Sequence, residues 1–173
     1  IDQDGSKPKT DLLQAIRDSP APICKDDIGA FLGLADFYSK FVRDFSTKTF
    51  HIRKLLKNNS PFNWDNDCQL AFQRIKSDIC SASPLKGFDP SLQTIITTDA
   101  SCRGLGAVLS QVESNGREII IAYASRSLTP AEEKYSVLER EALACFWALN
   151  HFCQFIWGLR IVICTDHKPL TRV

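Results

Sequence analysis

Ile95-Ile96-Thr97-Thr98-Asp99-Ala100-Ser101 is the stretch from which the rest of the chain can be read. Four β-branched residues lead into one acid, and small residues follow. This is the pattern of a strand that delivers a carboxylate to a turn. A second run, Ile161-Val162-Ile163-Cys164-Thr165-Asp166, repeats it and also ends on an aspartate. Between the two lies a long amphipathic segment that carries Glu141. Two strand-end aspartates and one helix glutamate are an all-oxygen donor set of the kind a hard divalent cation takes.

Outward from Asp99, the spacing predicts a first strand over Leu92–Thr98, a second over Gly104–Val112 and a third over Glu118–Ala124. Ser114-Asn115-Gly116 supplies a tight hairpin turn, so these strands form an antiparallel meander. Thr129-Pro130-Ala131-Glu132 opens a short helical turn. Ser136 and Glu139 stand at capping-box spacing and start the main helix. Its expected apolar stripe is Leu138, Ala142, Cys145, Phe146, Leu149, Phe152, Cys153 and Ile156, with Gly158 as the residue that ends it. Arg160–Thr165 is the fourth strand.

A strand–helix–strand crossover is right-handed and parallel, which sets strand four beside strand one. Asp99 and Asp166 then share the C-terminal edge of neighbouring strands about 4.8 Å apart, with Glu141 near the start of the crossover helix. Three carboxylates so close repel unless a hard cation such as Mg²⁺ neutralises them. A pair of such ions activates water against a phosphodiester. Spacing alone leaves a second reading open, in which each Asp is a turn residue or cap and the Glu is solvated.

The N-terminal half reads differently. Residues 1–10 look like a lead-in, and Asp11–Asp18 is a short helix stopped by Ser19-Pro20-Ala21-Pro22. Asp26 or Asp27 is the expected cap of a long helix carrying Ile28, Phe31, Leu32, Leu34, Ala35, Tyr38, Phe41 and Val42 at helical spacing. Gly33, costly in mid-helix, suggests close approach of a neighbour. Phe45-Ser46-Thr47 reads as a break and Thr49–Lys57 as a basic helix. Asn58-Asn59-Ser60-Pro61 is a turn, and Asp65 caps a helix that runs to about Cys80. Ser81-Ala82-Ser83-Pro84 marks the change from all-helical to alternating structure, giving two units, residues 1–83 and 84–173. The fold class is α/β (α+β overall). Trp64, Trp147 and Trp157 are assigned to packing.

Composition excludes several classes. The 173 residues are 44% hydrophobic and 24% charged, and no apolar run is long enough to span a membrane. The polar start lacks the apolar core of a signal peptide, and the absence of any Met suggests a piece of a longer polypeptide. The 7 cysteines are odd in number and none has CxxC spacing, which argues against a disulfide framework or zinc ribbon and for a reducing, intracellular compartment. The net charge is only +1, yet Lys40, Arg43, Lys48, Arg53, Lys54 and Lys57 lie close together with Asp44 as the one acid among them. Such a run is a phosphate-backbone surface or a solvated face. Arg103, just after the Asp99 turn, has the same two readings.

Six motifs stand in one order: Phe31-Leu32-Gly33-Leu34 with Phe37-Tyr38; Trp64 with Ala71-Phe72; Thr98-Asp99-Ala100-Ser101; Ala122-Tyr123-Ala124-Ser125-Arg126; Glu141-Ala142-Leu143-Ala144; and Thr165-Asp166-His167-Lys168-Pro169-Leu170. Together they resemble the Pol polyprotein of gypsy-type long-terminal-repeat retrotransposons over nearly the whole chain. The resemblance implies a reverse transcriptase thumb and link over residues 1–83. It implies an RNase H domain over residues 84–173, lacking a fifth strand and a fourth acid expected past Val173. It makes Asp99, Glu141 and Asp166 the catalytic, Mg²⁺-binding acids (Mn²⁺ as a substitute), and passes over Glu139 as the capping residue. It further implies Lys40, Arg43, Lys48, Arg53, Lys54, Lys57 and Arg103 as nucleic-acid contacts. Its partners would be an RNA–DNA hybrid, a primer–template and the remainder of the polyprotein. The implied activity is hydrolysis of the RNA strand of hybrids, coupled to RNA-directed DNA synthesis in the parent protein. The rival reading is a domesticated or decayed module that binds nucleic acid or protein without catalysis. His167 is read as a helix-start residue rather than a base.

Overall fold

The computed structural model describes residues 10–57 and 61–166. The expectations for residues 1–9, for the turn at Asn58-Asn59-Ser60, and for His167 and the helix beginning at Lys168-Pro169-Leu170 fall outside these.

The first half is helical: α1 (Thr10–Asp18), α2 (Lys25–Asp36), a 3₁₀ turn (Ser39–Phe41), α3 (Phe45–Leu55) and α4 (Asn66–Cys80). Their apolar faces meet in one core, in which Ile16, Ile28, Tyr38, Ile52, Phe72 and Ile75 are almost wholly buried. The rings of Phe31 and Phe72 lie 4.6 Å apart at its centre. Asp65 caps α4 as expected, its Oδ1 accepting from the Cys68 amide at 2.8 Å.

Three local expectations are corrected. Neither Asp26 nor Asp27 caps α2. The helix starts at Lys25, and Asp27 reaches back to accept from the Ile23 amide at 3.0 Å. The break before α3 lies at Asp44, which is left-handed (φ 54°), and α3 begins at Phe45 rather than Thr49. Phe45 is an anchor buried in the core, and the Thr49 hydroxyl bonds to the carbonyls of Phe45 and Ser46 inside the helix instead of opening it. Gly33 is exposed and a Cβ there would meet nothing, so no neighbour explains it.

The second half is a four-stranded sheet of order β3-β2-β1-β4, built from β1 (Gln93–Ala100), β2 (Gly104–Val112), β3 (Glu118–Ser127) and β4 (Ile161–Thr165). The meander is antiparallel, closed by a turn with Gly116 at φ 81°, and β4 returns parallel to β1 with Ile96 opposite Ile163 and Thr98 opposite Thr165. The connection runs through a 3₁₀ turn (Glu132–Lys134), α5 (Val137–His151) and the single turn α6 (Cys153–Ile156). The capping box at Ser136 and Glu139 forms, and Gly158 is left-handed (φ 76°) after the last turn.

The buried stripe of α5 is rotated from the expected one. Glu141, Ala144 and Ala148 face the sheet, Phe152 follows in the same line, and Leu138, Ala142, Phe146 and Cys153 are exposed. Alanines let the helix lie close on the strands, and larger residues at those positions would hold it off. Trp157, assigned to packing, is 88% exposed.

The two halves touch. The Ser46 amide at the start of α3 donates to Ser125 Oγ of β3 at 2.9 Å, and Ile120 and Tyr123 of β3 pack against the helical core. β2 is glycine-bearing where α3 lands: a Cβ on Gly106 would stand 2.7 Å from Asp44 Oδ1. All seven cysteines are free thiols, and no helix among the described residues is long and apolar enough to cross a membrane.

Candidate metal centre

Three elements bring three acids together. β1 ends by placing Asp99 at the sheet edge, β4 ends one residue before Asp166, and the second turn of α5 supplies Glu141. One carboxylate oxygen from each lies within 4.8 Å of the other two. Glu141 is 4% exposed and forms the floor, whereas both aspartates face solvent. The donor set is wholly oxygen, and a hard divalent cation fits it by charge and ligand type.

The surroundings fix this geometry. Thr98 Oγ1 and Cys145 Sγ, 3.3 Å apart, tie β1 to α5 one residue before Asp99. Arg140, beside Glu141 on α5, donates from Nη1 to the Ser101 carbonyl at 3.2 Å, latching the helix to the turn after Asp99. Ser101 itself closes that turn, its Oγ accepting from the amides of Arg103 and Gly104. Arg126 and Glu132 form a two-pronged pair at 2.7 and 2.9 Å that anchors the approach to α5. These hydrogen bonds and the charge of Arg126 hold the Glu132 carboxyl down to about 2. Glu139 is not in the cluster. Its carboxylate accepts from the Ser136 amide at 2.7 Å and is held below the usual range by that bond, which is what a capping residue does. The sequence reading missed Arg140 and Arg126 as supports. Position gave a hint for Arg140, adjacent to Glu141, and nothing local marks Arg126.

The basic residues divide. Lys48 pairs with Asp78 at 2.6 Å, and Arg53 pairs with Asp36 and bonds to Thr49. Lys40 lies over the Phe41 ring, and Arg43 is 3.6 Å from Asp44. Lys54 and Lys57 are exposed. Arg103 reaches from the sheet onto α3, stacking over Phe50 at 4.8 Å with Nη1 3.2 Å from His51 Nε2. The run is therefore no single surface, because Arg43, Lys48 and Arg53 are each committed to an ion pair within the chain.

Residues 64–163 match the RNase H-like domain found in reverse transcriptase. The chain belongs to that family. It is 38% identical over 167 residues to the retrovirus-related Pol polyprotein from transposon 412 of Drosophila melanogaster, covering 96% of this chain and 13% of that protein. It is 37% identical over 184 residues to the corresponding protein of transposon gypsy from the same organism, covering 99% and 17%. The chain thus spans less than a fifth of these relatives and corresponds to their reverse transcriptase/RNase H part.

The fold of this RNase H-like chain is also that of a foamy viral protease-reverse transcriptase solved in complex with an RNA/DNA hybrid. The TM-score is 0.79 at 21% identity, over 99% of this chain and 24% of that one. A foamy viral protease-reverse transcriptase in complex with dsDNA gives 0.80 at 20% identity, over 96% and 36%.

Proposed function

We propose that this RNase H-like chain, within the longer polyprotein, hydrolyses the RNA strand of RNA–DNA hybrids with Mg²⁺, for which Mn²⁺ can substitute. The observation that carries the reading is the three-carboxylate cluster at the C-terminal edge of β1 and β4. Asp99, Glu141 and Asp166 hold the cation. When bound, the cation offsets the charge of the carboxylates and the phosphodiester and acidifies water. Glu141 is fixed in the floor by α5, and the two aspartates open to solvent, so the substrate backbone approaches from their side. The hybrid is read through backbone, shape and 2′-hydroxyls rather than bases. Lys40, Lys54, Lys57 and Arg103 are the cations available to its phosphates, while Arg43, Lys48 and Arg53 must first leave their acids.

Two units, a thumb-like 1–83 and an RNase H-like 84–173, fit the separate cores, although α4 falls inside the family match and joins them. The hosting polyprotein would act intracellularly on primer–template as well as hybrid.

Cleavage of a labelled hybrid in Mg²⁺ or Mn²⁺ tests the activity, in the polyprotein that carries this sequence and in the 173-residue chain. Asp99→Asn is expected to lower cleavage by about 10²–10³-fold, the loss of several kcal/mol of charge stabilisation. Binding of hybrid without cleavage by the folded polyprotein would replace hydrolysis with a binding role. A Mg²⁺-dependent rise in melting temperature, lost in Asp99→Asn, reads the site independently of activity.

A further inference from the structure

A cleft of about 450 Å³ opens between the helical half and the sheet, away from the metal centre. Its floor is apolar, made by Phe41, Val42, Leu85 and Ile119. Its rim is cationic: Arg43, Lys48, Lys86 and Arg117 against Asp78 and Glu118. Asp78 is paired with Lys48 at 2.6 Å and Arg43 with Asp44 at 3.6 Å, while Glu118 accepts from the Ser110 hydroxyl at 2.6 Å and keeps its charge. Among the described residues, no acid pairs with Lys86 or Arg117.

The backbone that presents these two cations is fixed from both sides. The Lys86 amide bonds to Ile120 of β3, and the Arg117 amide bonds to Asn115 Oδ1 at 2.8 Å inside the hairpin turn. The lining carries four cations against two acids, and a concave wall of net positive charge concentrates the field that an anion feels. Arg117 offers a planar fork to phosphate oxygens, and Lys86 a compact charge.

We propose that this cleft is a phosphate-binding site, with Lys86 and Arg117 as its principal ligands and Arg43 in support. The apolar floor takes the sugar or base that the phosphate carries. The phosphate belongs to a free nucleotide or to a polynucleotide backbone, and length separates the two. Ser125 of β3 pairs with Gly106, and Gly106 pairs with Asp99, so Ile119 lies six residues back along β3 from the level of the metal centre. At roughly 3.3 Å per residue the cleft is about 20 Å from that centre. A polynucleotide that reaches both spans about six steps of ~3.4 Å. This spanning arm alone rests on the proposed hydrolysis of hybrids.

The test is calorimetric titration of the full 173-residue chain with inorganic pyrophosphate, uridine monophosphate and a 12-base-pair RNA–DNA hybrid. Lys86→Ala with Arg117→Ala is expected to weaken binding at least tenfold for one or more probes, each single change about threefold, and Lys86→Arg to retain it. Both side chains are exposed, so the melting temperature of the variants should match the wild type. Weakening confined to the small probes assigns a free nucleotide, and weakening confined to the hybrid assigns the backbone. Equal binding by wild type and double variant for all three probes, or no binding by any, overturns the site. Lys86- and Arg117-dependent pyrophosphate binding, with no hybrid cleavage by the polyprotein that carries this sequence, would sink the hydrolytic reading and leave the cleft standing. Cleavage with no effect of the double variant would do the reverse.

Discussion

The two halves of the molecule spend their apolar residues differently. The helical half closes a core around Tyr38, Phe72 and five isoleucines that are almost wholly buried. The sheet half buries Ile96, Leu109, Ala144 and Ala148, and both halves leave some large apolar residues outside, Ile23, Phe37 and Leu70 in one and Val162, Ile163 and Phe146 in the other. The sheet half is also the one that gathers three carboxylates within 4.8 Å. A region that gathers acids so close gives up stability that its neighbour keeps. Sites that bind cations are built this way, with geometry held by surrounding structure rather than by the acids themselves.

The largest expected effect tests the closed core. Phe72→Ala removes a ring in contact with Phe31 and with Trp64, and should cost about 3–5 kcal/mol in denaturant unfolding. Ile163→Ala on the half-open β4 should cost under about 1 kcal/mol, because much of that side chain is already in water. Equal losses at the two positions would break the contrast.

The next effect is read through the cation. Glu141→Gln keeps the shape of the side chain and removes one carboxylate charge from the cluster. With Mg²⁺ the wild type should gain melting temperature and the variant should gain clearly less. Equal gains in the two would mean that Glu141 does not hold the cation.

Much of this was legible in the chain. Alternation and the Ser114-Asn115-Gly116 turn gave the strands, with β2 matching residue for residue, and the crossover rule placed Asp166 beside Asp99. The choice of Glu141 over Glu139 came from the resemblance to Pol polyproteins together with the capping-box spacing. The face of α5 was misread for a physical reason. Apolar residues occur on both sides of it, and a buried glutamate with two alanines scores as the poorer stripe, although small residues are what allow close packing on a sheet. The left-handed Asp44 was invisible because its cause is tertiary: it sets α3 against Gly106 of β2. The ion pairs that divide the basic run, Lys48 with Asp78 and Arg53 with Asp36, join residues 30 and 17 positions apart, beyond any local pattern.

Ser136→Ala deletes the acceptor for the Glu139 amide at the start of α5 and should cost about 1 kcal/mol. Its sharper readout is the metal centre. If the cap sets where α5 begins, the variant should bind Mg²⁺ more weakly than an equally destabilised helical-half variant such as Ile52→Val. Equal Mg²⁺ affinity in the two would show that Arg140 and Thr98–Cys145 suffice to place Glu141.

The smallest effect is a pH dependence at the approach to α5. Glu132 titrates at about 2 in the fold against an ordinary value near 4.5, so the folded state favours its charged form. Its contribution is therefore present above about pH 4.5 and is lost as pH falls from there towards 2. The pair with Arg126 is partly exposed, so about 0.5–1 kcal/mol at neutral pH is the expected size. Arg126 also stacks over Trp147 at 5.9 Å, which gives the loss an optical signal. Acid titration should change Trp147 fluorescence in the wild type, and that change should be absent in Glu132→Gln. Glu132→Gln should lower the melting temperature at pH 7 and shrink the drop between pH 5 and pH 3. A drop of wild-type size in Glu132→Gln would move the acid sensitivity to other carboxylates and remove this pair from the account of how the approach to α5 is held.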